Sequence, residues 1–264
     1  MDGVCFRLTM DSGFFSVFFR LCTLYLECKA AGKRLYVDSS EWNYGRWNRY
    51  FQTLHERPRI PMYPTFSARD VNTDPKRWTV GDYRVAVREL FRLTPLLRHE
   101  VRKMIDRIGG PYTAIFVRRG DKIMTEASYI PMSTILSWVP HDDSTVFFVQ
   151  TDDYTVIEEM RALLPKHAIH HTVPPHKRGS YHSIQYKQSV AIPWTLKSPE
   201  EAYQETTEML VGLSVCLAAQ HCWTDDTSNV GRFLKLMDDR VHIYPEDYSM
   251  DESYHQHPAW NIRA

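Results

Sequence analysis

The chain has 264 residues, of which 43% are hydrophobic, and its 32 basic side chains balance 32 acidic ones. This length can bury a sizeable core in one large or two smaller domains. Zero net charge argues against a protein that binds nucleic acid by neutralising phosphates. The longest apolar run, residues 14–26, contains Arg20, is shorter than the roughly 20 residues that span a bilayer, and follows no basic leader.

The cysteines and histidines indicate neither a disulfide framework nor a metal site. The five cysteines are odd in number and widely spaced, so we expect a reducing compartment and a cytoplasmic protein. The histidines His167, His170, His171, His176 and His182 lack the spacing of a zinc site. We expect them to contact solvent or the edge of a nucleotide.

Helices and strands alternate along the chain. The first helix is expected from about Gly13 to Ala31, because Gly32 stands where a C-terminal glycine belongs, and a strand follows at 34–38. The later elements are a helix at 82–108, a strand at 112–118, a short helix near 131–138, a strand at 145–150, a helix from about 153, a helix at 199–219, a strand at 220–224 and a helix at 229–237. This alternation predicts a three-layer α/β fold with a mostly parallel sheet.

One predicted strand ends on a dense group of charged side chains: Arg118, Arg119, Asp121, Lys122 and, slightly later, Glu126. Ligands of open α/β sheets lie at the carboxyl ends of parallel strands. Two guanidinium groups there suit a pyrophosphate, because each stays charged and offers a planar fork of donors. Glu126 is then a candidate base. A solvated salt-bridge cluster is the alternative interpretation.

Two further predicted strand ends carry hydroxyl, carboxylate and amide groups. They are Thr151, Asp152 and Asp153 after one strand, and Thr227, Ser228 and Asn229 after another. The second group opens a helix, and a helix N-terminus presents N–H groups and partial positive charge to an anion. An ordinary N-cap explains it equally well in isolation. Combined with the arginines, the pattern favours phosphate binding.

Four segments, in this order, resemble motifs of the α-1,6-fucosyltransferases and the rhizobial nodulation fucosyltransferases. They are a glycine-bearing helix start at Gly13 and Phe14 followed by Ser40, Trp42 and Trp47; Phe-Val-Arg-Arg-Gly-Asp-Lys-x3-Glu-Ala at 116–127; Phe-Val-Gln-Thr-Asp-Asp at 148–153; and Ser-Asn-Val-Gly-Arg at 228–232. The resemblance spans nearly the whole chain. Where the family has a histidine at the start of the second motif, this chain has Phe116.

The resemblance implies an α/β fold of the glycosyltransferase B type, with two Rossmann-like halves and a nucleotide-sugar cleft between them. Residues 1–100 are then an N-terminal α/β domain on the acceptor side, and residues 101–264 a C-terminal Rossmann-like domain that binds the nucleotide sugar. The implied partners are a nucleotide-sugar donor and an oligosaccharide acceptor. No cofactor, metal, nucleic acid or membrane span is expected.

The resemblance also implies roles for individual residues. Arg118 binds the pyrophosphate and stabilises the leaving nucleoside diphosphate, Lys122 supports that charge or holds Glu126, and Glu126 accepts the proton of the acceptor hydroxyl. Arginine thereby replaces a metal ion. The remaining substrate-binding candidates are Gly13, Phe14, Arg119, Asp121, Thr151, Asp152, Asp153, Lys177, Arg178, Thr227, Ser228, Asn229 and Arg232.

The predicted donor depends on a difference between this sequence and the fucosyltransferase motifs. The acidic segment that reads guanine in the fucosyltransferases has no counterpart at 169–173, and Lys177 and Arg178 suit the carbonyl oxygens of uracil. The chain also looks like the compact glycosyltransferases of large algal viruses. We therefore predict an inverting, metal-independent glycosyltransferase that moves xylose from UDP-xylose to a fucose-containing glycan, as in N-glycan biosynthesis. A GDP-fucose-dependent fucosyltransferase is the alternative.

Two other classes of protein are alternatives to a glycosyltransferase. A degenerate, non-catalytic glycan-binding module fits Phe116 and the missing guanine contact, but the retained charged residues argue against it. A Rossmann dehydrogenase lacks Gly-x-Gly-x-x-Gly after the first strand. The aromatic residues Trp42, Tyr44, Trp47 and Tyr50 suit either an acceptor-sugar platform or core packing.

Overall fold

The computed structural model describes residues 3–8, 13–56, 64–67, 77–120, 129–179, 197–225 and 228–244. These residues cluster into two compact units that divide between Pro95 and Leu96. Each unit has a parallel sheet with helices, which confirms the predicted α/β class. Within the described ranges, no helix combines the length and the hydropathy needed to cross a membrane. All five cysteines are free and buried.

The first unit is built on a four-stranded sheet in the order β3-β2-β1-β4, with every pair parallel. Its elements are β1 (Gly3–Arg7), α1 (Phe14–Ala30), β2 (Arg34–Asp38), α2 (Trp47–Tyr50), β3 (His55–Glu56), β4 (Thr65–Ser67) and α3 (Val80–Leu90). The predicted first helix and strand are confirmed. Gly32 ends α1 with φ +64°, a conformation that glycine adopts without strain.

The aromatic residues after β2 form the core of this unit. Trp42, Tyr44, Trp47 and Tyr50 are each at most 5% exposed. Phe14, the first residue of α1, contacts two of them, with ring centroids 5.1 Å from Trp42 and 5.3 Å from Tyr44. Core packing is therefore the correct interpretation of this segment.

The predicted helix at 82–108 was wrong as a single element, because two helices occupy that range. Helix α3 ends at Leu90, and α4 (Pro95–Ile108) begins on a proline. Proline lacks the N–H that would continue the preceding helix and is well tolerated in a first turn. Between the helices Leu93 forms a bridge to Phe51, so the leucine periodicity continues across a real break.

The second unit holds a five-stranded sheet in the order β7-β6-β5-β8-β9, also parallel throughout. After α4 come β5 (Thr113–Val117), α5 (Met132–Trp138), β6 (Phe147–Thr151), α6 (Thr155–Leu163), β7 (Ile169–His171), α7 (Pro199–Ala218), β8 (His221–Thr224), α8 (Asn229–Met237) and β9 (Val241–Ile243). All residues of β5 and β6 are buried. Strands covered on both faces read as continuous apolar runs, which is why the sequence predicted them.

Candidate functional site

The carboxyl edge of the second sheet brings three predicted strand ends together. Strand β5 lies between β6 and β8, and neighbouring strands are about 4.8 Å apart. Val117 is level with Thr151, and Ile115 is level with Trp223. Three candidate groups therefore stand side by side at this edge: the arginines after β5, Thr151 to Asp153 after β6, and Ser228 with Asn229 after β8. Asp121, Lys122, Glu126 and Thr227 lie outside the described residues, and their roles stay predictions.

Arg118 and Asp152 form an ion pair across the ends of β5 and β6. A guanidinium nitrogen of Arg118 donates to Oδ2 of Asp152, while the backbone N–H of Arg119 donates to Oδ1 over 2.7 Å. The Asp152 side chain is 9% exposed and that of Arg118 is 19% exposed. Arg118 is thus held at the edge of the sheet with partial access to solvent.

Arg119 serves the packing of the unit. Its guanidinium lies 4.3 Å from the ring centre of Tyr129, donates to the carbonyl of Ile130 over 2.8 Å and lies 3.8 Å from Glu159. The residue is 4% exposed. The contacts of Arg119 are therefore different from those of Arg118, which pairs with Asp152. The contacts of Arg119 differ from those of its predicted role as a helper at the pyrophosphate.

Helix α8 begins at the end of β8 with a fully formed N-cap. The Ser228 hydroxyl accepts from the Gly231 N–H over 3.0 Å, and the Ser228 N–H donates to Asp225 over 3.0 Å. A Cβ placed on Gly231 would lie 1.7 Å from the Asp225 carbonyl oxygen, so only glycine permits this close packing. Arg232 is buried and donates to the Asn229 side chain over 3.4 Å. The first turn of α8 itself contains no acidic residue, and the carboxylate nearest the helix start is Asp225, which accepts from the Ser228 N–H.

The other residues of the β6 end organise the backbone. The Thr151 hydroxyl accepts from the Asp153 N–H over 3.2 Å, and Asp153 accepts from both the N–H and the hydroxyl of Thr155 at 2.9 Å. The Asp153 side chain thus binds Thr155, the first residue of α6. Thr151 and Asp153 shape the turn, whereas Asp152 makes the contacts to the arginines.

Lys177 and Arg178 lie in the loop after β7, and both form ion pairs. Lys177 Nζ is 2.9 Å from a carboxylate oxygen of Glu208 and 3.7 Å from one of Glu205, both on α7. Burial raises the pKa of Glu208, and the Lys177 ammonium offsets part of that effect. Arg178 lies 3.8 Å from Glu158 and donates to the carbonyl of Pro175 over 2.7 Å. Lys177 thus fastens the loop to α7.

A groove of about 400 Å³ lies beside the end of β7, between α4 and α7. Its lining includes His171 and Thr172 from the strand end, Thr207 and Glu208 from α7, and Glu100 from α4. Glu208 and Glu100 could not be assigned to this position from local sequence patterns, because both are distant along the chain from β7. Carboxylates are therefore present beside a strand end where the sequence alone offered none.

The histidines of this region make ordinary contacts. His171 Nε2 is 3.3 Å from an Arg161 nitrogen, and burial followed by the Arg161 charge lowers its pKa. His167 lies 2.9 Å from the carbonyl of Asp142. His182 is outside the described residues. In the part of the chain that the structure describes, no group of three His, Cys, Asp or Glu side chains is placed to hold a metal ion.

In the first unit, Gly13 and Phe14 stand at the start of α1. The Phe14 N–H donates to the Tyr44 hydroxyl over 3.1 Å, and Phe14 is 3% exposed. Gly13 is exposed, with open space where a side chain would project. Of this pair, Gly13 offers an accessible backbone, and Phe14 belongs to the core.

Comparison with known proteins identifies the fold. No family model matches the sequence. Two structures of the NodZ α-1,6-fucosyltransferase, one described as from Bradyrhizobium and one soaked with GDP-fucose, are similar to this chain. Each superposes with a TM-score of 0.61 at 12% identity, over 93% of this chain and 96% of that chain. POFUT1 in complex with GDP gives 0.60 at 12% identity over 92% and 98%. An Arabidopsis thaliana FUT1 variant in complex with GDP gives 0.56 at 9% identity over 96% and 73%. The chain therefore has the glycosyltransferase B fold of these fucosyltransferases, as its motifs implied.

Proposed function

We propose that this protein is a glycosyltransferase that moves fucose from GDP-fucose to a hydroxyl of a glycan. The observation that carries the proposal is that Arg118 follows β5 and the start of α8 follows the neighbouring strand β8, so both lie at the carboxyl edge of one sheet. The structures similar to this chain include proteins with bound GDP or GDP-fucose. The alternative donor identified from the sequence thus becomes the main proposal.

The chemistry at this edge suits departure of a nucleoside diphosphate. Negative charge grows on the leaving group as the bond to the sugar breaks, and fixed donors stabilise it without reorganising. Arg118 supplies a permanent positive charge, and the first N–H groups of α8 supply the dipole of a helix start. Glu126 remains our proposed base for the acceptor hydroxyl in a single inverting displacement, with no metal ion required.

The donor base is the point at which the proposal departs from UDP-xylose. The argument for uracil depended on the lack of a carboxylate near the end of β7. Glu208, which also pairs with Lys177, and Glu100 line the adjacent groove, and a carboxylate there supports guanine because it matches the N1–H and amino group of that base. The similar structures named above do not include an algal-virus glycosyltransferase, and several hold GDP or GDP-fucose.

The test compares nucleotides and then donors. Purified protein is heated with GDP or UDP at equal concentration, and a ligand at 100 times its Kd adds about 2.7 kcal/mol to the free energy of unfolding. We expect GDP to raise Tm more than UDP, and GDP-fucose to label a glycan acceptor where UDP-xylose does not. A larger shift with UDP, or xylose transfer, would restore the sequence-based donor. No shift with either nucleotide, together with glycan binding, would favour the non-catalytic module.

A matched pair of variants tests the site itself. Arg118→Ala should lower turnover about 10²- to 10³-fold, the effect typical of losing one transition-state donor. Arg102→Ala, an exposed arginine on α4, should leave turnover unchanged. Circular dichroism spectra of both variants test whether each is folded. Wild-type turnover in Arg118→Ala would refute the pyrophosphate assignment.

A further inference from the structure

The Asp152 carboxylate is tied at both oxygens to the chain that follows β5. One oxygen accepts from the Arg118 guanidinium, and the other accepts from the Arg119 N–H over 2.7 Å. Because Val117 and Thr151 are level in the sheet, Asp152 faces Arg118 directly across the strand ends. This two-point attachment fixes the direction of the Arg118 side chain relative to its own backbone.

The backbone of Asp152 is held from the opposite side by the loop after β7. The Gly179 N–H donates to the Asp152 carbonyl over 2.9 Å, and Asp153 forms an antiparallel bridge with Arg178. The Lys177 carbonyl accepts from the Tyr154 N–H over 3.0 Å. The side chain of Lys177 is itself bound to α7, so the carboxylate stands on a firmly supported turn.

An ionised carboxylate is a poor direct ligand for a diphosphate. It carries acceptors and no donor, and its charge repels the phosphate oxygens. Asp152 lowers the net positive charge beside Arg118, which opposes tight binding of the donor. A carboxylate at this position is useful for orienting Arg118 during the reaction, whereas it is unsuited to holding the substrate.

We propose that Asp152 is a positioning residue that holds Arg118 in the orientation needed to stabilise the departing diphosphate. This inference rests on the proposed function. It assigns Asp152 a role through Arg118 in place of the direct substrate contact predicted from the sequence. The inference also predicts that a change of the Asp152 carboxylate affects turnover and donor binding differently.

The test variant is Asp152→Asn, which keeps an oxygen for the Arg119 N–H and replaces the charged partner of Arg118 with an amide. We expect kcat to fall on the order of 10²-fold, the cost of a small misplacement at a reacting centre. The Kd for GDP, measured by calorimetry, should stay within about threefold or become tighter, because a repulsive charge is removed. Asp142→Asn, a carboxylate in an exposed turn, is the control and should preserve both values.

Two further variants separate positioning from charge and from folding. Asp152→Glu keeps the charge but moves it by one methylene, and it should also lose turnover. The double variant Arg118→Ala with Asp152→Asn should be no slower than Arg118→Ala alone, because Asp152 acts only through Arg118. If Asp152→Asn fails to fold, the Asp152→Glu comparison carries the test.

The outcomes distinguish this inference from the proposed function. Wild-type protein that binds no GDP and transfers no sugar would reject the function itself. Wild-type protein that binds GDP, with unchanged turnover in Asp152→Asn or Asp152→Glu, would reject only the positioning role. A parallel loss of GDP affinity and turnover in Asp152→Asn would also reject it, because Asp152 would then be needed for binding.

Discussion

Substituting Gly231 tests whether the start of α8 must lie against the end of β8. A Cβ at this position would stand 1.7 Å from the Asp225 carbonyl oxygen and 2.9 Å from the Thr224 hydroxyl oxygen. Gly81, in the first turn of α3, is the matched control, because its nearest neighbour, the Thr79 hydroxyl, would be at an ordinary 3.5 Å.

Helix propensity and steric overlap oppose each other at Gly231. Alanine is favoured over glycine inside a helix by about 1 kcal/mol, so Gly81→Ala should raise the free energy of unfolding by up to that amount. Overpacking costs about 1–3 kcal/mol, and the upper end applies at Gly231 because the obstructing atom is a main-chain oxygen. The expected net loss for Gly231→Ala is about 2 kcal/mol, which corresponds to a fall in Tm of about 4–8 °C.

Thermal unfolding followed by circular dichroism, with and without GDP, measures both effects. Moving α8 away from β8 displaces the helix N-terminus from the edge of the sheet, so GDP should raise the Tm of Gly231→Ala less than that of the wild type. Gly81→Ala should retain the full GDP shift. A Gly231→Ala protein as stable as Gly81→Ala, with an intact GDP shift, would refute the reasoning.

Three further predictions concern the chemistry and the response to pH. Chelation with EDTA should leave transfer unchanged, because Arg118 and the start of α8 supply the charge; a strict requirement for added Mg²⁺ or Mn²⁺ would contradict this. Glu126→Gln should bind GDP normally while turnover falls about 10²- to 10⁴-fold, and retention of anomeric configuration in the product, seen by NMR, would exclude the inverting mechanism. The hydrogen bond from Lys29 lowers the pKa of Glu89 below 4.5, so this pair stabilises the fold above that pH and loses its contribution as the pH falls. Glu89→Gln should therefore flatten the acid limb of the stability curve by no more than about 0.5 kcal/mol, since the pair is partly exposed; an unchanged acid limb in urea titrations would show that the pair is not coupled to folding.

The central strands of the second unit were predictable because burial on both faces leaves a continuous apolar run. Ile115 and Val149 are wholly buried members of such runs. Parallel pairing then dictates that the polar residues after each strand share one edge, so the meeting of Arg118 with Asp152 follows from the topology. The edge strands β7 and β9 have three residues each, too few for a periodic signal.

Other features of the site depend on contacts between distant segments. Glu208 reaches the end of β7 from a helix that begins at Pro199, and its local pattern is that of an ordinary helix surface. Arg118 and Arg119 looked equivalent as a pair in the sequence, yet Arg118 contacts Asp152 whereas Arg119 contacts Tyr129 and Ile130. Pro95 indicates a possible helix boundary in the sequence. The leucine periodicity continues across it, however, and so favoured a single helix.

The parallel order of the second sheet determines when the parts of the site come together during folding. Thr113 of β5 pairs with Phe147 of β6, roughly 30 residues later, and with His221 of β8, roughly 100 residues later. Closing the longer loop costs about 1 kcal/mol more in chain entropy, and non-local pairing slows folding. On the ribosome, Asp152 therefore becomes available to Arg118 well before Ser228 has been synthesised. A nascent chain that ends near α6 already contains both partners of the Arg118–Asp152 ion pair, whereas the loop that supports Asp152 and the start of α8 are still absent.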